Sequence, residues 1–270
     1  MLPIPAGGAV SAVRFYTTQL QAGLGLIEEM RLLLGLYEPG MSTSELSDKA
    51  LASGLFPLVS ARRLHNIVSE CFAPRFLRMP GTAGVLKRLA ANLTRQEFSQ
   101  LLFLHTARAN LILDDFVREQ YWKHYSAGRD SLTLDEAREF VLAGVRDGKT
   151  QKPWSDTTIK RISSYLLGCC ADYQLLSANT RGPRRILPFR ILPRVAAYLA
   201  YDLKFQGLGD NQIIGHSDWQ LFGLEREDVR EEFKRLSLQG FLIMQSAADV
   251  IHISWTHKHM DEVIDVLTQG

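Results

Sequence analysis

One period runs through this sequence and limits what it can become. Apolar residues recur three and four positions apart in stretch after stretch, and residues that end helices, Gly and Pro, separate these stretches. The pattern predicts a chain built mainly of short amphipathic helices. At 270 residues and 30.4 kDa, with 46% hydrophobic and 22% charged residues, it is long enough and apolar enough to bury substantial cores.

The punctuation divides the chain. Residues 1 to about 10 carry Pro and paired Gly and read as a loose leader. A first helix is expected over 17–37, with Leu20, Leu24, Ile27 and Leu34 on one side and Pro39-Gly40 after it. A second opens at Ser42 or Thr43 and closes near Gly54. A turn holding Pro57 leads to Ser60, the cap of a helix that should run to Phe72 and stop at Pro74. Two helical patterns fill 94–125, and Gly128 ends them.

A new group starts at Thr133, with Asp135 and Glu136 in the first turn of a helix ending near Gly148. Ser155 then caps a helix over 156–171, and YQLLSANTRGPRRILPFRI reads as two short strands around a Gly-Pro tip. After Pro193 the order helix, turn, helix, hairpin recurs, with a helix over Arg226–Leu238, the paired runs FLIMQS and VIHISW, and a terminal helix over 258–268. The predicted fold is therefore mainly α: a helical N-terminal domain with a helix-turn-helix (1–128), a winged-helix domain (129–200) and a C-terminal winged-helix-like unit (201–270), both with short β-hairpin wings.

Net charge is only +2, but its distribution is uneven. Between Asp48 and Glu97 the one acid is Glu70, among Arg62, Arg63, Arg75, Arg78, Lys87, Arg88 and Arg95. Between Asp172 and Asp202 there is none, beside Arg181, Arg184, Arg185, Arg190 and Arg194. Two basic segments point to a polyanionic partner.

Within them, the helix over 156–171 separates into two faces. Ile159, Ile162 and Leu166 turn one way, and Thr157, Lys160, Arg161 and Ser164 the other. Short hydroxyls with long cations suit a helix in the major groove of double-stranded DNA, and Arg181, Arg184 and Arg185 at the hairpin would flank it along the backbone. The helix after Ser60 shows a weaker version. Arg62, Arg63, His65 and Asn66 face outward, yet the turn before it is longer than in a tight helix-turn-helix, and a plain helical bundle stays open. The helix 226–238 exposes Glu227, Glu231 and Glu232, which would repel phosphate and favour a supporting or protein-contacting role.

Other classes find little support. Cys71, Cys169 and Cys170 lie on apolar stripes and read as structural thiols. Charges interrupt every apolar run, so no membrane span is expected, and the start lacks the marks of a signal peptide; a cytoplasmic protein follows. His252, His257 and His259 lack metal-ligand spacing, and Asp114, Asp115 and Glu119 should face different ways on one helix beside Arg118. No phosphate-cradling loop or nucleophile elbow is present, so neither an enzyme, a cofactor nor a small-molecule substrate is expected. The rival reading is a protein adaptor using the same winged surfaces, and RNA binding is a third.

The stretches GLIEEMRLLLGLYEPGMSTSELSDKAL, SARRLHNIVSECFAPRFL and TARANLILDDFVREQYW resemble the BrxA family of BREX bacteriophage-defence systems, over about residues 16–200. The resemblance implies a small helical protein with helix-turn-helix character. It would act on DNA alongside other defence-system proteins: a methyltransferase, an ATPase and a phosphatase-like protein. It carries over no catalytic residue, and it weakens after about residue 200.

Overall fold

The computed structural model describes residues 14–178, 181–247 and 250–269. The expected leader lies outside them. The described residues are mainly helical, as their period requires, with two small antiparallel sheets among them.

The expected first helix over 17–37 is corrected. A single 3₁₀ turn at Gln19–Gln21 precedes Gly23-Leu24-Gly25, and α1 (Ile27–Leu36) starts only after Leu26, whose φ is 50°. Tertiary bonds override the local helical pattern here. Arg75, only 6% exposed, donates to the carbonyls of Gly23 (3.1 Å), Leu24 (2.7 Å) and Gly25 (3.1 Å), while the Gly25 N–H donates to Asp172 Oδ2 at 2.9 Å. A Cβ at Gly25 would lie 2.7 Å from that of Asp172, so only glycine allows this approach.

Next, α2 (Thr43–Ala52) opens on a capping box in which the Ser42 N–H donates to Glu45 at 2.8 Å and the Glu45 N–H donates to Ser42 Oγ at 3.2 Å. Ser60 caps α3 (Ala61–Ile67). Pro74 does not stop this helix. A π turn at Val68–Phe72 intervenes, the Ala73 N–H reaches back to the Val68 carbonyl, and α4 (Ala73–Phe76) continues with Pro74 in its first turn. The widened turn relieves the clash a proline ring makes with the carbonyl four residues earlier. A helix for which no pattern was expected, α5 (Thr82–Ala90), follows and buries Ala83, Leu86 and Leu89. The patterns over 94–125 form α6 (Arg95–Ala109), buried on nearly every side, then a break at Asn110, α7 (Leu111–Phe116), a second π turn and α8 (Trp122–Ser126).

β1 (Ser131–Leu132) leads into α9 (Leu134–Arg146), which packs against α10 (Asp156–Asp172). The strand pair expected between 173 and 191 forms around residues 175–187. The Ser177 N–H donates to the Arg185 carbonyl and the Leu187 N–H to the Leu175 carbonyl, both at 2.9 Å. The sequence reading missed the third partner: β2 (Arg184–Arg185) also pairs antiparallel with β1, ahead of α9. Then come α11 (Pro193–Phe205), α12 (Asp210–Ile214), a 3₁₀ turn, α13 (Arg226–Leu238) and the expected second hairpin, β3 (Leu242–Ala247) with β4 (Val250–Trp255), whose turn at 248–249 lies outside the described residues. α14 (Met260–Thr268) returns to pack on α5 and α11. One connected core runs through all of this, from Leu33 and Phe72 through Leu102, Ile162 and Tyr198 to Phe233 and Leu267.

Candidate nucleic-acid interface

The site is built on α10, and two caps hold that helix in place. Ser155 accepts from the Thr158 N–H at 3.3 Å and opens α10 itself. Its packing partner α9 opens on Thr133 and Glu136. Burial pushes the Glu136 carboxyl up, but hydrogen bonds from the Thr133 N–H and hydroxyl, and from His124 and Arg129, outweigh it and hold the group at about 2. The inward face of α10 is fixed by Ile159, Ile162, Ser163 and Leu166, all buried. The opposite face must then meet solvent, and Thr157, Lys160, Arg161 and Ser164 are all exposed there. Neither Lys160 nor Arg161 makes an ion pair among the described residues. The first-turn acid, Asp156, lies 3.6 Å from Arg138, and the last-turn acid, Asp172, faces Gly25.

The three hairpin arginines differ. Arg185 is exposed and makes no ion pair among the described residues. Arg184 is half-buried, with Nη1 donating to the Ser177 carbonyl at 3.3 Å, so it braces the hairpin. Arg181 is exposed beside Gly182, whose φ is 73°.

In the N-terminal region Arg62, His65 and Asn66 are exposed on α3 and Arg63 is half-buried, with residues 53–60 between α2 and α3. The basic segment holding them is less basic in space than in sequence. Arg75 is buried, Lys87 Nζ donates to the Tyr37 carbonyl at 2.7 Å, Arg88 pairs with Asp261 and Asp265, and Arg95 pairs with Glu28 at 2.9 Å. The second basic segment loses Arg194, which lies 3.9 Å from Glu97.

Three of the four cations of α13 are engaged by that helix's own acids, and the fourth, Arg226, donates to Asn211 Oδ1 at 3.0 Å. Arg230 lies 3.1 Å from Glu227, Lys234 2.6 Å from Glu231 and Arg235 2.7 Å from Glu232. Leu238 at its end is exposed, as is Ile243 on β3.

The remaining titratable clusters are structural in their bonding. Asp114 pairs with Arg118 at 2.8 Å, whereas Asp115 takes Tyr16 at 2.7 Å and Lys149 at 2.8 Å, so the neighbouring carboxylates face apart. Burial raises the Asp114 carboxyl to about 6 despite the guanidinium beside it. His252 is exposed 3.8 Å from Asp210, His257 lies against the Tyr201 ring, and His259 precedes α14. No group of three metal-ligating side chains is placed to hold an ion among the described residues. Cys71, Cys169 and Cys170 are free and buried, and burial pushes the Cys169 thiol to about 12. No helix among the described residues is long and apolar enough to cross a membrane.

The model of a family described as BrxA matches residues 14–202, a region that begins before α1 and ends within α11. A solved structure of similar fold is the crystal structure of an uncharacterized protein from Magnetospirillum magneticum, at 15% identity and a TM-score of 0.57 over 70% of this chain and 94% of that one. No curated protein matches the chain.

Proposed function

From the premise that this chain belongs to the BrxA family of BREX bacteriophage-defence systems, we propose that it is a cytoplasmic, non-enzymatic component that binds double-stranded DNA. In this reading 129–200 is a winged-helix domain between a helical N-terminal domain and a second winged unit over 201–270. Its helix α10 enters the major groove and its hairpin follows the backbone.

The observation that carries the reading is one exposed helix face on which Thr157, Lys160, Arg161 and Ser164 stand together with no paired acid. Hydroxyls of this length reach phosphate or base edges, and long cations reach phosphate or guanine. Arg185 adds a backbone contact from the hairpin, and Arg184 stiffens the hairpin that presents it. Because such binding releases counterions, affinity for a labelled duplex is expected to fall on the order of a thousandfold between about 50 and 200 mM salt if about six phosphates are contacted. No binding at low salt, or binding insensitive to salt, overturns the reading. In that event the neutralised α13 face with exposed Leu238 makes a protein adaptor the better account.

A further inference from the structure

We propose that the turn between α2 and α3 is a wedge that enters a base step of duplex DNA from the minor groove, with Leu58 as the inserted side chain and Arg62 among the cations that hold the flanking phosphates. The inference rests on the reading that the chain binds duplex DNA, and adds to it a second contact of another kind.

Leu58 is 98% exposed, the most exposed large apolar side chain among the described residues. It does not stand on a loose segment. Pro57 fixes the backbone before it, and buried Phe56 anchors the turn from below. The Val59 N–H closes on the Phe56 carbonyl at 3.1 Å. Ser53 ties the turn to α2, accepting from the Leu55 N–H at 3.2 Å and donating to the Ala50 carbonyl at 2.7 Å. A leucine presented this way has paid little ordering cost that binding would still have to meet.

The surroundings select the partner. Leu51 and Leu55, 44% and 47% exposed, precede Leu58, and Arg62, Arg63, His65 and Asn66 follow on α3. Residues 53–69 contain no acid; the nearest are Asp48 on α2 and Glu70 beyond Asn66. An apolar tip followed by arginines, in a stretch free of acids, fits a ligand with an apolar slot between rows of negative charge, which is what an opened base step offers. Arg and Asn are also the side chains that read a minor groove narrowed or opened by such a step. The length of the turn follows from the same role: residues 53–60 project a tip ahead of α3, where a tight helix-turn-helix would have none.

The test uses the whole protein and a short duplex with a flexible TA step, a dye at each end, read by energy transfer and by binding titration at low salt. The unsubstituted protein should bend the duplex by roughly 20–90° and raise the transfer signal. Leu58→Ala removes no internal packing, so the variant should fold and bind within about tenfold of the original affinity, because leucine burial and base unstacking nearly cancel. It should leave the duplex straight, and Leu58→Phe should restore the bend. Salt-dependent binding to a straight duplex by the unsubstituted protein, or equal bending by Leu58→Ala, overturns the wedge while leaving the α10 contact standing. No binding at low salt overturns both.

Discussion

Arg75 shows how one side chain can reverse what the local sequence asks for. The run from Thr17 to Tyr37 has helical spacing throughout, yet its middle is unwound because three consecutive carbonyls, Gly23 to Gly25, are bonded by a guanidinium some fifty positions away in the chain. Nothing within those residues announces this. The local trace is the pair Gly23 and Gly25, whose missing Cβ atoms let Leu26 and Asp172 approach. Replacing Arg75 by Ala takes away the donor of the Leu24 carbonyl and leaves the Gly25 and Gly23 carbonyls only the weaker ones from the Tyr173 hydroxyl at 3.3 Å and Cys71 Sγ at 4.0 Å, so the variant should lose about 2 kcal/mol of stability, read as a lower denaturant midpoint at unchanged slope. A change of under about 0.5 kcal/mol would mean that water or a neighbour satisfies those carbonyls.

At the scale of elements, what the sequence showed well was whatever is decided within one helical turn. Ser60 and Ser155 cap their helices as the sequence predicts, and of the two openings offered for α2 it is Ser42 that caps, because a cap needs only its own first turn. The two faces of α10 are equally legible from rotation alone, which groups Thr157, Lys160, Arg161 and Ser164 on one side. Elements that depend on distant partners are not. The π turn that carries the chain past Pro74 has no sequence signature, and β1 pairs with β2 across more than fifty residues. The hairpin arginines could be located but not ranked: the bond from Arg184 to Ser177 separates a brace from the exposed Arg185.

Over the whole molecule, a stretch poor in acids is not the same as a basic surface. Arg88 and Arg95 meet Asp261, Asp265 and Glu28, which the fold brings from other elements, while Arg62 on α3, Lys160 and Arg161 on α10 and Arg185 on the hairpin are exposed and make no ion pair among the described residues. The core is likewise shared: α14 seals α5 and α11 although it lies beyond the matched family region. Leu267→Ala should therefore lower stability by about 2–5 kcal/mol and move one cooperative melting transition as a unit. A separate early transition for the C-terminal segment would show instead that it melts independently.

The central claim is that cations of α10 and its hairpin touch DNA phosphates. The direct measurement is the slope of log affinity against log salt for the unsubstituted protein and for the triple variant Lys160→Ala, Arg161→Ala, Arg185→Ala. Each lost phosphate contact should flatten the slope by about 0.9, so the account predicts a difference of about 3 with the melting temperature unchanged. Identical slopes would contradict it.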